Sequence, residues 1–313
     1  MRLKIIGFTL ENSPDEKSTL PVWGGLGKSF LTIEGENSRI KTWKEKGGES
    51  MPKLCPLYSG SSGNSYYLET AGKGILIDCG RNAKQLENAL KEKEIDISRI
   101  QAIFITHEHT DHVSALRVFA GRYHIRAYAS YGTIAALEDK GYLSEKVDIQ
   151  PITLDGVELD DFFVEPFRIS HDCVEGYGYV VETQDNRKTA FATDTGIITP
   201  AMQTALTGCD TVVLESNHDI GMLRCGKYPY VLKRRILSDV GHLSNELCAL
   251  TAVDLVKTGT TRLLLAHLSR ENNIPELAMQ ASLCELERSG MKQQVDFLLS
   301  VIPEICHDKP VRY

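Results

Sequence analysis

From Leu54 onward, apolar runs of strand length alternate with helical patterns. "LCPLY" and "SYYLET" read as strands around a glycine-rich loop, and "GKGILIDCG" as a buried strand that runs into Asp78. "RNAKQLENALKEKE" spaces its apolar residues as an amphipathic helix does. "QAIFIT" is a buried strand that feeds directly into "HEHTDH", and a helix over "DHVSALRVFAGRY" follows with Asp111 in its first turn. "FFVEPFRIS", "YGYVVET", "TAFATDTG", "TVVLES" and "TRLLLAHLS" are further strands, while "NELCALTAVDLVK" and "IPELAMQASLCELERSG" are helices. The alternation predicts an α/β scaffold. Most strands stop at a polar residue, namely Asp78, Thr106, His171, Asp194, Glu215 and His267. Strand ends joined by short loops are where such scaffolds build sites.

The first fifty residues follow a different pattern. They are rich in Gly, Lys, Glu and Ser, their periodicity is weak, and no element in them requires burial. "GGLGKS", Gly24 to Ser29, resembles a phosphate-binding loop, but the full pattern needs glycine where Val22 stands, and a strand–helix context is missing. Gly47-Gly48-Glu49 is what a purine-rich GGAGGAG ribosome-binding sequence encodes in this frame, just upstream of Met51. The expectation is therefore that Met51 is the physiological start. Residues 1–50 are then a disordered or non-native extension, and residues 51–313 form the hydrolase domain.

Composition narrows the classes. The chain has 313 residues, 42 % of them apolar, which is enough for a sizeable core. It contains no run of about 18 apolar residues, so no membrane helix is expected. "MRLKIIGFTLENSPDEK" lacks the small-residue cleavage site of a signal peptide. Eight cysteines without CxxC pairs fit reduced thiols in a cytoplasmic protein. A net charge of −7 gives no general attraction for polyanions, so nucleic acid would need a local basic patch. "RCGKYPYVLKRRIL" is one, with Arg224, Lys227, Lys233, Arg234, Arg235 and two interleaved tyrosines.

The densest chemistry lies in "FITHEHTDH", Phe104 to His112. His107 and His109 are two apart and face one side of an extended segment. Asp111 and His112 begin the next helix and point elsewhere. One loop can thus supply two ligands to each of two neighbouring metals. The zincin pattern HExxH fails, because Asp111 stands where its second histidine belongs. Imidazoles with carboxylates suit Zn²⁺, Mn²⁺ or Fe²⁺.

With Asp78, His107-x-His109-x-Asp111-His112, His171, Asp194 and His267 in that order, the chain resembles the metallo-β-lactamase superfamily from about Leu54 to His267. The resemblance implies a four-layer αβ/βα sandwich with two metals at the top of paired sheets. It implies that His107, His109 and His171 hold the first metal, that Asp111, His112 and His267 hold the second, and that Asp194 bridges them. Asp78 then orients the loop from behind the ligands. His109 stands where the oxygen-reducing di-iron branch has glutamate, which argues for hydrolysis. Zn²⁺ is the first choice and Mn²⁺ the second.

Such a site would also open a lactone or thioester, so the reaction is read from other residues. The tRNA-processing branch carries a glutamate that orients a proton-donating histidine. Here the matching residues are Glu215 in "VVLESNHD" and His242 in "GHLSNELCAL", which join Asp111 as the expected catalytic residues. His218 is either a support residue or simply exposed. "YSGSSGNS" offers backbone N–H groups to a phosphate, with Ser62 and Asn64 as candidate substrate contacts, joined from the basic stretch by Lys233 and Arg234.

Together "SGSSGNS", "THEHTDH", "LESNHD", "GHLSN" and "AHLSRENN" are similar to the YycJ (WalJ) subfamily, cytoplasmic bacterial metallohydrolases related to RNase Z and RNase J for which DNA exonuclease activity is proposed. The chain has neither the β-CASP insert of RNase J nor a long basic arm that clamps tRNA. The expectation is a di-metal phosphodiesterase whose partner is nucleic acid, DNA first, acting as a 5′-to-3′ exonuclease. The alternative is a hydrolase of a cyclic phosphodiester, lactone or thioester. No membrane partner is expected, and the subunit number is left open, a homodimer included.

Overall fold

The structure is a computed structural model that describes residues 18–24, 27–33, 41–44 and 51–312. The chain divides into two units, Met1–Glu49 and Ser50–Tyr313. In the first, β1 (Ser18–Gly24), β2 (Gly27–Ile33) and β3 (Lys41–Lys44) form an antiparallel sheet in that order. The sequence pattern predicts no element there, so these strands are a finding. Gly24 pairs with Gly27 across antiparallel strands, which is not the strand–helix setting of a phosphate loop. The Gly47-Gly48-Glu49 segment lies outside the described residues.

The second unit holds two seven-stranded sheets. The first contains β4 (Lys53–Tyr58), β5 (Ser65–Thr70), β6 (Lys73–Ile77), β7 (Ile100–Phe104), β8 (Arg126–Ala129) and β9 (Ile149–Pro151). The second contains β10 (Val157–Glu158), β11 (Phe162–Arg168), β12 (Tyr177–Thr183), β13 (Lys188–Ala192), β14 (Thr211–Glu215), β15 (Arg262–Ala266) and β16 (Leu298–Val301). The last strand, β17 (Val311–Arg312), returns to the edge of the first sheet beside β4. Each sheet is antiparallel at one side and parallel at the other, with β6 to β9 parallel in one and β13 to β16 parallel in the other.

The helices are α1 (Ala83–Glu92), α2 (Thr110–Val113), α3 (Leu116–Tyr123), α4 (Tyr131–Asp139), α5 (Pro200–Leu206), α6 (Ile220–Cys225), α7 (Tyr230–Ile236), α8 (Asn245–Lys257) and α9 (Pro275–Arg288). Among these described helices none is long and apolar enough to cross a membrane.

Strand periodicity sorts the core into three layers. Ile75, Ile77, Ala102 and Phe104 point between the sheets and meet Tyr179, Val181, Val213 and Leu264. Leu76 and Ile103 point the other way, onto Leu86 of α1 and Phe119 of α3. Val212, Leu214, Leu263 and Leu265 pack on Met202 of α5, Ala252 of α8 and Leu286 of α9. Helices outside, two sheets within, is the αβ/βα sandwich expected.

The helix predicted over "DHVSALRVFAGRY" is broken into α2 and α3. The Asp111 carbonyl accepts from Asn64 N at 2.8 Å and Ala115 N donates to Cys79 O at 2.9 Å, so the helical bond between Ala115 and Asp111 is replaced by bonds to neighbouring loops. The short elements β8, β9, β10, β16, β17, α4, α5, α6 and α7 have no strong periodic signature and are seen only in the structure.

Phe104 tests the central layer. Its ring is fully buried, stacked on Tyr128 at 5.2 Å and edge-on to Tyr179 at 5.6 Å. Phe104→Ala should cost about 3–5 kcal/mol, read as a lowered denaturant midpoint at unchanged slope. A cost below about 1 kcal/mol would mean that this layer is not the tight core described.

Candidate metal centre

The polar strand ends gather at one edge because neighbouring parallel strands finish together. Ile77 pairs with Phe104, Ala192 with Leu214, and Glu215 with Ala266. Three residues just beyond strands take left-handed backbone: Asp78 at φ 60°, Asp194 at φ 57° and His267 at φ 56°. Asp and His adopt this region more readily than most residues, yet at a cost of about 1–2 kcal/mol each. The chain bends sharply there and turns each side chain into the site. Gly80 permits the closest approach, since a Cβ would lie 1.9 Å from Asp111 O.

The histidines are oriented from behind. Asp78, fully buried, accepts Thr106 N at 2.8 Å and Thr106 Oγ1 at 2.9 Å, and it receives His112 Nδ1 at 2.7 Å. With its proton committed to Asp78, Thr106 Oγ1 accepts from His107 Nδ1 at 3.0 Å. His171 Nδ1 donates to Gly241 O at 3.0 Å. Glu215 Oε1 receives both His242 Nδ1 and His267 Nδ1, each at 2.8 Å. Its Oε2 takes Thr195 N at 2.7 Å and Leu243 N at 3.3 Å. An ionised carboxylate only accepts, so both imidazoles carry their proton on Nδ1. His107, His112, His171, His242 and His267 thus keep Nε2 for the other side of the ring.

Those inward atoms converge. His109 Nδ1 lies 3.0 Å from His107 Nε2 and 3.3 Å from His171 Nε2. His112 Nε2 lies 3.4 Å from Asp111 Oδ2 and 3.2 Å from Asp194 Oδ2, and His267 Nε2 is 3.8 Å from Asp111 Oδ2. Ligand atoms within 4.8 Å of one another form the sets His107–His109–His171, Asp111–His112–His267, His107–His112–Asp194 and Asp194–Glu215–His242–His267. Asp194 belongs to two of the four, which group it with His107 of one predicted trio and with His112 and His267 of the other.

The electrostatics suit a divalent cation. Burial pushes His107 well below the ordinary imidazole range and lowers His109 as well, so both are neutral donors. Burial alone would raise Asp194, but His267 and His112 hold it well below the usual carboxylate range. Glu215 is likewise opposed by burial and still brought down to about 2 by His242 and His267. Among the described residues, no lysine or arginine forms an ion pair with Asp78, Asp111, Asp194 or Glu215. Asp194 Oδ2 and His267 Nε2 are buried without a hydrogen bond, since the 3.2 Å approach of His112 Nε2 to Asp194 Oδ2 lacks hydrogen-bond geometry. Buried carboxylates ringed by imidazoles, with no lysine or arginine to neutralise them, are what a divalent ion would satisfy.

The expected substrate contacts fare differently. Asn64 is fully buried, its Nδ2 3.2 Å from Asp111 Oδ2 and 3.0 Å from His112 Nε2, and its Oδ1 accepts Gly60 N at 2.9 Å. It holds the ligands rather than facing solvent. In the same loop Gly63 N donates to Gly60 O at 2.9 Å, so at least three N–H groups (Gly60, Gly63 and Asn64) are committed inside the protein and withheld from an anion. Ser62 Oγ donates to Glu304 and accepts Arg81 Nη2 at 2.7 Å. Lys233 Nζ donates to the carbonyls of Arg224 at 2.8 Å and Gly226 at 2.6 Å, which ties α7 to the end of α6 in place of a substrate contact. Arg234 alone of the four is exposed, its guanidinium 5.9 Å from the Tyr230 ring centre. His218 is buried with neither ring nitrogen hydrogen-bonded, which excludes the exposed reading.

Sequence reading misses the long-range partners. Arg235 pairs with Asp172, beside His171, through two contacts, one at 2.9 Å from Nη2. Ser59 Oγ accepts His267 N at 2.8 Å. Neither pairing has a local signature in the chain.

The family model of the beta-lactamase superfamily domain matches residues 73–268, the stretch that carries nearly all of these groups. The chain belongs to the metallo-β-lactamase superfamily, and its His/Asp donor set suits a divalent metal. Within that superfamily it is 39 % identical over 242 residues to exodeoxyribonuclease YycJ of Bacillus anthracis, covering 75 % of this chain and 89 % of the relative. It is 38 % identical over 248 residues to exodeoxyribonuclease WalJ of Streptococcus pneumoniae, covering 78 % of this chain and 92 % of that protein. The crystal structure of the metallo-beta-lactamase fold protein YhfI from Bacillus subtilis superimposes with a TM-score of 0.61 at 14 % identity, over 82 % of this chain and 98 % of that one.

Asp78 touches one histidine of each predicted ligand trio, His112 directly and His107 through Thr106. Asp78→Asn should weaken metal retention about 10–100-fold, measured by competition with a chelator. Unchanged retention would show that the ligands hold their orientation without it.

Proposed function

We propose that this chain is a metal-dependent phosphodiesterase that degrades DNA from the 5′ end. Two relatives that match most of its length carry the name exodeoxyribonuclease, which supports DNA as the substrate. The observation that carries the reading is the Glu215–His242 pair at 2.8 Å, placed beside Asp194, with His242 Nδ1 3.7 Å from Asp194 Oδ1. A departing alkoxide needs a proton, whereas a thiolate leaves without one. A histidine fixed by a buried glutamate next to a metal donor set suits a phosphodiester better than a thioester.

His107, His109 and His171 would hold one cation and Asp111, His112 and His267 a second, with Asp194 shared. Zn²⁺ suits this mixture of imidazole and carboxylate best and Mn²⁺ next. When bound, divalent ions supply charge neutralisation at phosphate oxygens and lower the pKa of water. The protein supplies the remaining parts. Glu215 holds the proton on His242 Nδ1 and thereby directs Nε2, the nitrogen that would donate to the leaving oxygen. His242 is part-exposed and so open to substrate, whereas Glu215 has no exposed surface and acts through it. Water adds to phosphorus and releases one proton to solvent, the ester P–O bond breaks, and the departing oxygen takes the Nε2 proton of His242 in its imidazolium form, which leaves the neutral ring with its remaining proton on Nδ1 towards Glu215. All eight cysteines are free, which supports a cytoplasmic location.

Replacing His242 by Ala should slow release of 5′-labelled nucleotides by about 10²-fold or more while elemental analysis finds the metal content unchanged. A substrate with a p-nitrophenolate leaving group should lose much less, because that oxygen leaves unprotonated. Equal losses on both substrates, or a parallel loss of metal, would make His242 a structural or ligating residue and sink its role as acid.

A further inference from the structure

Helix α7 has an outward face that its packing does not use. Ile236 is buried, Lys233 is bonded to carbonyls of the α6 end, and Arg235 is paired with Asp172. The residues left outside are Tyr230, Arg234 and Leu237, at spacings of four and three, on one stripe. Tyr230 is 72 % exposed, and the Arg234 guanidinium lies over its ring. Val231 beside it is 78 % exposed. An aromatic ring left this open on an otherwise anchored helix asks for an occupant.

Charge and position indicate what that occupant is. Between Arg224 and Gly241 the chain carries five basic residues and one acidic residue, within a protein of net charge −7. The segment is also bonded directly to the metal centre. His171 Nδ1 donates to Gly241 O, Asp172 N donates to Val240 O at 3.0 Å, and Ser170 Oγ donates to Asp239 O at 2.8 Å. A polyanion held on α7 would therefore lie next to the ligands. Double-stranded DNA hides its base faces, whereas an unpaired strand offers bases that stack on tyrosine and phosphates that meet arginine.

We propose that the Tyr230–Arg234 face of α7 binds an unpaired segment of the DNA strand being degraded, with Tyr230 stacking on a base and Arg234 meeting a phosphate. The inference rests on the nuclease reading above and adds a preference for single-stranded ends over blunt duplex.

The test uses the full-length metal-loaded protein and a short phosphorothioate single strand, with a blunt phosphorothioate duplex for comparison. Binding is read by fluorescence anisotropy. Tyr230→Ala should weaken single-strand binding about tenfold or more, and Tyr230→Phe should restore it. Arg234→Ala should lower the salt slope by about 0.7, the loss of one phosphate contact. Turnover of bis(p-nitrophenyl) phosphate should stay at the wild-type rate in Tyr230→Ala and Tyr230→Phe. Unchanged single-strand affinity in Tyr230→Ala would overturn the proposal and leave the nuclease reading standing. So would dissociation of a wild-type dimer by Tyr230→Ala at constant affinity, which would make this face a subunit interface. A wild-type protein that turns over bis(p-nitrophenyl) phosphate yet binds neither DNA would instead overturn the nuclease reading itself.

Discussion

The structure turns on the buried carboxylate of Asp78. It has no exposed surface, and burial raises it above the ordinary carboxylate range despite its bonds to His112 and Thr106. It is tolerated because every donor nearby is aimed at it: the Thr106 amide, the Thr106 hydroxyl and His112 Nδ1. Those bonds join the end of β6 to the loop after β7, and they set the tautomer of one histidine directly and of another through a hydroxyl. Losing one partner of such a network leaves the others buried without bonds, which is costlier than the bond alone. Fold and site are therefore not separable at this point. The same carboxylate that closes the strand ends also decides which nitrogen each imidazole presents.

The second sheet repeats the device with different residues. Asp194 and His267, like Asp78, follow strands in left-handed backbone, and Glu215 plays the orienting part on that side. Parallel pairing of β13, β14 and β15 brings their ends level, so Asp194, Glu215 and His267 arrive together without a long loop. Three strained turns at about 1–2 kcal/mol each are a sizeable share of a typical stability of about 5–15 kcal/mol. The Tyr- and Phe-rich layer between the sheets offsets them. Local strain next to rigid core is how a site keeps its side chains in one arrangement.

Which of this is legible in the chain follows from sequence distance. His107, His109, Asp111 and His112 lie within six residues, and their spacing alone separates two directions. The strands that end at Asp194, Glu215 and His267 are long apolar runs, so their polar ends are visible too. Gly241 O behind His171 and Ser59 behind His267 are not visible, because each bond spans far more chain than any local pattern. Asn64 and Lys233 carry the residue types of substrate contacts, but hydrogen bonds fixed by tertiary packing have already claimed them. The short elements α5, α6 and α7 escape for a related reason: with two turns or fewer, periodicity is too brief to read. Their positions come from caps such as Thr199 and Asp219 and from the loops they anchor.

Glu215 shows why the centre cannot be divided into a metal part and an acid part. One oxygen, Oε1, receives the Nδ1 protons of both His242 and His267. The other is filled by two backbone amides, so the carboxylate cannot rotate to favour one histidine without breaking bonds on both sides. His267 faces Asp111 and the proposed second cation, whereas His242 is the acid proposed for the leaving group. A shift of either ring changes the acceptor geometry of the other. The two functions are thus linked through a single buried atom, and their energies should be non-additive in the way that contacting groups of one network are. Such linkage gives a physical reason for glutamate here: aspartate, one methylene shorter, would have to draw back from the two rings, the two amides, or both.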